Sequence, residues 1–512
     1  MVLGAFVAYA ALAFYIYRPL SPRPFDMIDF SEFLPILRAH DSFWARLAAL
    51  VDYYANHGRF NLLVYVSLSL KWSLFGASEV GWQLTRAVQM LVLTAASYAL
   101  LRRLNVGTAG ALLAAGFFVV SAPAARAWIR LTMAEPFGTT VLVSAAICAT
   151  YYQRSTRWPR LAVVIALLVA LLLLAKEMFI ATVPFIMFIS WCRRADGHFG
   201  RPQRTRRNLV LLAVVTLATG LALVPVLIVA MRASSGAYVS AYGSFAAEPF
   251  DVFRLALFTV IPFVIVDDPM PAGLAVAGVC YFGLLAIGLR LFANVPRGRS
   301  DLRAILAIGL VHPLLGATAY LPWPVYHWFY SVPFLVGPAA LVGAGVSGVE
   351  RVVPRQRLIA YAAVLFLLAT MASESIRFSR RSEATQVAIA AAIDAVSAIP
   401  ERDSAFVAVA GLPVQAWQGF GQTLARHAAA LGRPIPATFN VSCANARQRA
   451  RHVGERNILL VFSTECPREG SPTMTMSRPF EWFDWGRAEW RRDSISFAVF
   501  SENTIDGNRH PK

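Results

Sequence analysis

The sequence predicts an all-α polytopic membrane domain of about eleven transmembrane helices, followed by a soluble extracytoplasmic α/β domain. Composition is the first reason. Of 512 residues, 57% are hydrophobic and 15% are charged, and the mean hydropathy is +0.55, which lies outside the range of soluble globular proteins. The second reason is that long apolar runs recur from the N-terminus to about Ser373 and then stop. We therefore expect a membrane domain over residues 1–373 and a soluble domain over residues 374–512.

Apolar runs near the length that spans a bilayer define the helices of the membrane domain. They cover residues 2–17, 82–101, 107–125, 135–152, 161–175, 178–191, 209–231, 272–292, 304–321, 332–348 and 358–373. Two long segments, 18–81 and 232–271, separate some of these spans. The first carries Trp44, Tyr53 and Trp72 among apolar residues, a mixture typical of helices that lie in the membrane interface. We expect surface or re-entrant helices in both segments.

The distribution of basic residues predicts the orientation of the chain. The net charge is +18, and lysine occurs only at Lys71, Lys176 and Lys512, so nearly all of the positive charge is arginine. The arginines fall largely in every second loop between spans, and the positive-inside rule makes those loops cytoplasmic. The N-terminus is then inside the cytoplasmic membrane, whereas loops 18–81 and 232–271 and the C-terminal domain are outside. Topology explains the charge, so we expect no nucleic-acid partner.

Residues 374–512 have the pattern of a small α/β domain, in which helix-like and strand-like runs alternate. The helix-like runs lie at 383–399 and 414–431, and the strand-like runs lie at 405–410, 457–463 and 495–500. Cys443 and Cys466 are the only cysteines of this domain. Because the domain is predicted to lie in an oxidising compartment, we expect these two residues to form a disulfide.

The stretch FDMIDFSEFL, from Phe25 to Leu34, carries the carboxylates Asp26, Asp29 and Glu32 at every third residue. Positions three apart are neighbours on a helix, so the three acids share one face while apolar residues cover another. Two interpretations are open. The segment is either a solvated amphipathic helix, or it holds a catalytic carboxylate just outside the bilayer.

Three further ionisable residues stand near the predicted outer ends of spans. Glu135 precedes a proline at a helix start, in MAEPF, so it either favours the positive end of the helix dipole or contributes to a binding site. Lys176 and Glu177 interrupt an otherwise apolar stretch from Leu161 to Trp191. Ionisable groups at this depth are costly, so the pair implies a partner or a ligand.

Other polar residues collect at the same predicted face. Asp267 and Asp268 lie near the end of the second long segment, and His327 and Tyr330 belong to the aromatic stretch PWPVYHWFY. The aromatic stretch is equally consistent with a belt of aromatic side chains at the membrane interface. The sequence has no phosphate-binding glycine loop, so we do not expect a nucleotide-binding fold.

These features together resemble the GT-C superfamily, the membrane glycosyltransferases that use polyprenyl-phosphate-linked sugars. The likeness rests on the acidic first loop, the large external loops, the Glu-Pro helix start, the Lys-Glu pair and the C-terminal external domain. FDMIDF resembles the Phe-Asp-Glu-x-x-Phe signature of protein O-mannosyltransferases, with Met27 in place of the glutamate. IDFSEFL is similar to the Asp-Asp-aromatic-x-Phe-Leu pattern of bacterial relatives, with Asp29 as the first acid and Phe30 in place of the second.

The resemblance implies an inverting transfer of a sugar from a polyprenyl-phosphate donor to a hydroxyl of a glycan, lipid or protein at the outer face of the membrane. Asp29, or Asp26 in the other register, would deprotonate the acceptor, with Glu32 as their neighbour. The donor-site candidates are Lys176, which would contact the phosphate, with Glu177, Glu135, His327 and Tyr330, and further candidates are Asp267 and Asp268. Membrane lipids are the other expected partners. No cofactor is required, and a divalent metal is compatible with the mechanism.

Two other classes of protein fit parts of the pattern. A secondary transporter also has many helices and buried charges, but such proteins commonly show repeated halves and binding sites at the middle of the membrane. Here the unusual charges are predicted at one face. The third possibility is a membrane-anchored scaffold for the external domain, which would need no acidic first loop.

Overall fold

In the computed structural model the chain is mostly helical. The described residues are 2–21, 27–56, 58–202, 205–232, 261, 272–319 and 328–397, together with five strands between 406 and 501. For residues 27–32 and for the strands, the backbone is described but the side chains are not.

The helices coincide with the predicted apolar runs and with the helices expected in the first long segment. In chain order they are α1 (Val2–Tyr17), α2 (Met27–Ala39), α3 (Phe43–Asn56), α4 (Leu62–Phe75), α5 (Glu79–Arg103), α6 (Thr108–Ala115), α7 (Phe117–Val120), α8 (Ala122–Ile129), α9 (Glu135–Tyr152), α10 (Trp158–Ala175), α11 (Val183–Cys192), α12 (Arg206–Arg232), α13 (Ala272–Ala293), α14 (Gly298–Leu306), α15 (His312–Ala319), α16 (Val336–Val352) and α17 (Arg357–Ser397). Shorter 3-10 or π turns lie at Glu177–Thr182, Ala307–Val311, Trp328–Leu335 and Pro354–Gln356.

The expected count of eleven spans is not confirmed. Within the described residues, 7 helical stretches are long and apolar enough to cross a membrane, or up to 8 if the bent pair Thr108–Val120 and Ala122–Ile129 is one span. Val2–Tyr17 and Glu177–Cys192 are apolar but shorter. Sixteen helical residues reach about 24 Å, against a hydrocarbon core of about 30 Å. Glu135–Tyr152 is not among the 7, because its Glu-Pro start and its threonines and tyrosines make it less apolar than the other spans.

Helix α16 lies at the centre of the bundle, and glycine lets its neighbours approach it closely. The apolar window of the span Tyr330–Val352 is 100% buried. A Cβ added to Gly288 of α13 would lie 2.5 Å from the carbonyl oxygen of Gly345, and one added to Gly110 of α6 would lie 2.4 Å from that of Gly343. Such backbone contacts require residues without a side chain, as in the small-residue interfaces of membrane helices.

The bent segment α6–α8 leads the chain to the turn at residues 130–134. The segment bends by 49° between α7 and α8. On both sides of it, side chains hold the carbonyls of the bend: the Tyr17 hydroxyl donates to the Val119 oxygen at 2.6 Å, and the Ser375 hydroxyl donates to the Val120 oxygen at 2.6 Å. The bend before α8 is therefore anchored by α1 and α17.

Helix α17 runs for 41 residues, so the domain boundary expected at residue 374 falls inside a continuous helix. Helix α17 lies against two strands of a mixed sheet, β4 and β5. The strands are β1 (Phe406–Ala410), β2 (Ala437–Val441), β3 (Asn457–Val461), β4 (Met474–Asp484) and β5 (Glu489–Ser501). Their order is β2-β1-β3-β5-β4, with β1 parallel to β2 and β3, and β5 antiparallel to β3 and β4.

The three strands expected from the sequence overlap β1, β3 and β5, whereas β2 and β4 were not expected. Strand β4 contains Pro479, and it tolerates this residue because it lies at an edge of the sheet, where a missing N–H need not break a ladder. The helix expected at 414–431 lies outside the described residues. The α/β character of residues 374–512 and the boundary of that domain stay predictions.

The membrane part has two ends of different chemistry. The first-loop end comprises α2–α4, the turn at 130–134, the start of α9, the end of α10 and Tyr330. The arginine-rich end comprises residues 102–107, 193–207, 294–303 and 350–357. Contacts between distant residues assemble each end, as for Lys176 with Glu135 at the first and Asn105 with Asp301 at the second.

Candidate functional site

An ion pair between Glu135 and Lys176 forms the centre of the candidate site. Glu135 is the first residue of α9, and Lys176 directly follows α10, so the antiparallel helices bring the two residues to the same end of the bundle. The Lys176 Nζ lies 2.6 Å from Glu135 Oε1, and the side chains are 17% and 1% exposed. The carboxylate also stands at the positive end of the α9 dipole, as the first interpretation of Glu135 expects. Its contribution to a binding site stays a prediction.

Tyr330 covers the lysine from the other side. The Lys176 Nζ lies 4.1 Å from the centroid of the Tyr330 ring, a cation–π contact. Burial lowers the pKa of Lys176, but the charges of Glu135 and Tyr330 and the hydrogen bond to Glu135 raise it. The resulting pKa lies above the usual lysine value. Lys176 is therefore a cation in a confined position at neutral pH.

Two further cations bind the turn that precedes Glu135. The Lys71 ammonium on α4 donates to the Leu131 carbonyl at 3.3 Å, and the Arg86 guanidinium on α5 donates to the Met133 carbonyl at 2.9 Å. Burial and the charge of Arg86 lower the pKa of Lys71 well below its usual value. A nearby anion would relieve this repulsion. Turn 130–134 thus holds positive charge on the side from which the chain enters α9.

Sequence reasoning missed Lys71 and Arg86 as members of this site. Lys71 is one of the few lysines of the chain and interrupts an apolar segment, which is the same signal that identified Lys176. It was assigned to an interfacial segment instead. Arg86 lies in a span and carries no distinguishing local pattern, so only its contact with Met133, 47 residues away, identifies it.

Glu177 lies beside the pair without joining it. It begins the 3-10 turn Glu177–Thr182. Its charge raises the pKa of Lys176 and, together with the larger effect of burial, that of Tyr65 on α4. In the described part of the chain the Lys176 ammonium is hydrogen-bonded to Glu135 and not to Glu177.

The first-loop helices pack against the same turn. One cluster of buried apolar residues joins Phe33 and Leu37 of α2 to Tyr54 of α3, Tyr65 of α4 and Leu131 of the turn. Phe33 and Tyr54 have ring centroids 5.0 Å apart, and Tyr54 stacks on Tyr65 at 5.1 Å. The cluster therefore positions α2 next to the turn that Lys71 and Arg86 bind. Asp29 and Glu32 are residues of this helix.

Several predicted site residues cannot be placed. Those outside the described residues are Asp26, Asp267, Asp268, His327, Cys443 and Cys466, and the side chains of Asp29 and Glu32 are not described either. Their roles stay predictions. Within the described residues, no group of three or more His, Cys, Asp or Glu is arranged to hold a metal ion, and the side chains of the first-loop acids are not among those described.

Comparison with known proteins relates the fold to solved membrane glycosyltransferases. ArnT from Cupriavidus metallidurans in the apo state matches with a TM-score of 0.50 and 13% identity, covering 97% of each chain. Arabinofuranosyltransferase AftD from Mycobacteria matches with a TM-score of 0.50 and 14% identity, covering 98% of this chain and 40% of that chain. The same ArnT bound to undecaprenyl phosphate gives a TM-score of 0.49 at 13% identity, covering 100% of this chain and 99% of that chain. No protein-family model and no curated protein matches the sequence.

At 13–14% identity, individual residues of this chain are not matched to residues of ArnT or AftD, but both matches extend over nearly all of this chain. These neighbours are GT-C membrane glycosyltransferases. The resemblance inferred from the sequence, which began with its acidic first loop, is confirmed for the architecture. The chain has the GT-C fold.

Proposed function

We propose that this protein is an inverting glycosyltransferase that moves a sugar from a polyprenyl-phosphate donor to a hydroxyl of a glycan, lipid or protein acceptor. The reaction takes place at the first-loop end, which the positive-inside rule puts at the outer face of the cytoplasmic membrane. The observation that carries the proposal is the confined ammonium of Lys176, held between Glu135 and Tyr330 at a membrane boundary of a GT-C fold.

Lys176 is suited to bind the donor phosphate. An ammonium has three N–H donors, and Glu135 accepts one of them while the face of Tyr330 covers a second direction. A third donor remains for a phosphate oxygen. Glu135 does not contact the phosphate in this proposal, because two anions would repel. It positions Lys176 and raises its pKa, so that the lysine stays charged.

Lys71 and Arg86 supply further positive charge for the phosphate. Both donate to carbonyls of the turn that leads into Glu135. Burial, followed by the charge of Arg86, lowers the pKa of Lys71, and an anion bound nearby favours its charged form. As the sugar departs, negative charge builds up on the leaving phosphate. Fixed cations in a water-poor site stabilise that charge more in the transition state than in the ground state.

Asp29 is our choice for the general base. It is the first acid of the register IDFSEFL, and it lies in the first turn of α2. Phe33 and Leu37 of the same helix pack into the cluster that contains Leu131, so the backbone of α2 lies near the turn bound by Lys71. Glu32 is not the leading acid in either register of the motif, which makes it the weaker candidate.

The proposed reaction is a single displacement. The acceptor hydroxyl transfers its proton to the carboxylate of Asp29 as its oxygen forms a bond to the anomeric carbon of the sugar. The bond between that carbon and the phosphate oxygen breaks, and the electron pair leaves with the polyprenyl phosphate. Because attack and departure occur on opposite sides, the anomeric configuration inverts. Asp26 takes the place of Asp29 if the other register of the motif applies.

Measuring sugar transfer by purified variants, with synthetic polyprenyl-phosphate sugars as donors, tests the proposal. Asp29→Asn keeps the size of the side chain but cannot take up the acceptor proton, so kcat falls by about two to four orders of magnitude. Asp41→Asn is the matched control. Asp41 lies in the same loop and its side chain is exposed, so this variant keeps wild-type activity.

The activities of the Asp26→Asn and Asp29→Asn variants decide which of the two acids is the general base. Loss of activity in Asp26→Asn with normal activity in Asp29→Asn moves the base to Asp26. Full activity in both variants contradicts a catalytic first loop, and absence of transfer from every polyprenyl-phosphate sugar contradicts the proposed function itself.

A further inference from the structure

The arginine-rich end contains a second site, which the proposed function does not use. We propose that the cavity lined by Arg102, Asn105, His198, Asp301 and Arg351 binds the phosphate group of a ligand with net negative charge. The cavity has a volume of about 210 Å³. One water takes up about 30 Å³ in the liquid, so the space is large enough for a tetrahedral phosphate with its ester atoms.

Asp301 organises the floor of the cavity. It is 3% exposed and has three partners: its Oδ2 accepts from Asn105 Nδ2 at 2.9 Å and lies 2.9 Å from His198 Nδ1, while its Oδ1 accepts from the Phe199 N–H at 2.9 Å. The carboxylate is thereby satisfied inside the protein. It fixes the loop that carries His198 against the start of α14 and does not need a cation from the cavity.

Two arginines from different helices converge on the opening. Arg102 in the last turn of α5 donates to the Val106 carbonyl at 2.7 Å, and Arg351 near the end of α16 donates to the Asn105 carbonyl at 3.1 Å. Both side chains line the cavity and are exposed. Each guanidinium has five N–H donors, and neither arginine forms an ion pair among the described residues. Most of their donors are therefore free to bind an anion.

A third guanidinium lies behind the floor with donors unused. Arg193 is 4% exposed and donates to Asn105 Oδ1 at 3.4 Å, but its Nε and Nη1 have no hydrogen-bond partner among the described residues. Burial lowers the pKa of Arg193 to about 10, with further lowering by Arg154. A buried cation that is incompletely paired is stabilised by an anion nearby.

The balance of charge favours an anion over a cation. Arg102 and Arg351 outweigh the single carboxylate Asp301, even with His198 neutral. The cavity also opens at the start of α14, beside Gly298, where the helix dipole is positive. Guanidinium groups bind phosphate with paired N–H donors. Basic pockets between membrane helices on the cytoplasmic side are suited to lipid headgroups, and the positive-inside rule puts this end there.

Binding of phosphate compounds to the purified full-length protein tests the proposal. The probes are phosphatidylglycerol, phosphatidylcholine and inorganic phosphate, with the thermal midpoint and native mass spectra as readouts. We expect saturable binding of phosphatidylglycerol, weakened at least about tenfold in Arg102→Gln/Arg351→Gln because two charge-assisted contacts are lost. Arg355→Gln is the matched control, since Arg355 is exposed at the same end but does not line the cavity.

Each outcome bears on the site. Binding of inorganic phosphate that competes with phosphatidylglycerol and is lost in the double variant assigns the cavity to soluble phosphates as well. Equal binding of phosphatidylglycerol by the double variant and the wild type overturns the proposal, as does an equal response to phosphatidylcholine or no binding of any probe. Arg102→Lys/Arg351→Lys keeps both charges but loses the paired donors, so intermediate binding is expected even if the glutamine variant does not fold.

Discussion

The two ends of the membrane part use positive charge in opposite ways. At the first-loop end the cation Lys176 is confined and its partner Glu135 is fully buried. At the arginine-rich end the anion Asp301 is buried as well, but the cations Arg102 and Arg351 are exposed. A confined cation holds its charge where water is scarce, which suits chemistry on a phosphate, whereas exposed arginines suit topology and reversible binding.

The comparison also separates the kinds of partner. Asp301 is satisfied by an amide, an imidazole and a backbone N–H, so its network is complete without a ligand. One carboxylate oxygen of Glu135 accepts a hydrogen bond from Lys176, and the ammonium of Lys176 keeps an N–H donor for a ligand. The Asp301 network holds the fold together, whereas the pair of Glu135 and Lys176 has an N–H donor left for a substrate. Variants that remove one charge at each end test this distinction.

The largest effect is expected for Lys176→Met. Removing the cation that stabilises the leaving phosphate lowers kcat/KM by about two to three orders of magnitude. The substitution also leaves Glu135 buried without its partner, so a loss of folding would mimic a loss of catalysis. The double variant Lys176→Met/Glu135→Gln separates the two, since it removes both charges and recovers the thermal midpoint but not the activity. Recovered activity in the double variant would contradict the role of Lys176.

Glu135→Gln alone is expected to change both stability and pH dependence. Loss of the buried partner costs about 3 kcal/mol of unfolding free energy. Burial then lowers the pKa of Lys176 without the opposing effect of Glu135. Because phosphate binding needs the charged lysine, activity is lost as pH rises through that pKa, and the alkaline limb of the pH–rate profile moves to lower pH. A limb that stays in place would show that the lysine charge does not control the rate.

At the arginine-rich end, Asp301→Asn is expected to reduce stability without reducing the intrinsic rate. The variant weakens three hydrogen bonds to a buried carboxylate and costs about 2 kcal/mol. Transfer per folded molecule stays at the wild-type level. Asp196→Asn is the control, because Asp196 and its partner Arg297 are 45% and 60% exposed and their loss leaves the thermal midpoint unchanged. A large fall in kcat for Asp301→Asn would remove the functional contrast between the two ends.

The smallest effect concerns the predicted disulfide between Cys443 and Cys466. Cys148, Cys192 and Cys280 are free thiols, so alkylation under non-reducing conditions should label only those three of the five cysteines. Reduction should leave sugar transfer unchanged, because the proposed reaction uses no cysteine. Labelling of all five would contradict the disulfide and weaken the assignment of that region to an oxidising compartment.

Much of the architecture could be predicted because each membrane helix must be apolar along its own length and satisfy its own backbone. Hydropathy therefore identified the runs that became helices, although α1 and the segment 177–192 are shorter than the helices that are long enough to cross a membrane. The same reasoning identified Lys176, since an ionisable residue at that depth is costly. Lys71 followed the same pattern, but the neighbouring aromatic residues favoured an interfacial assignment.

By itself, then, the sequence determined which segments are helical, where the arginines collect and which ionisable residues interrupt apolar runs. These are local properties of the chain and its solvent. Only the tertiary structure decided that Glu135 pairs with Lys176 across 41 positions, that Tyr330 covers the lysine and that Asp301 meets Asn105 across 196 positions. Such pairings depend on how helices pack around α16, where the approach of glycine backbones sets the distances, and no local pattern encodes which side chains will then face each other.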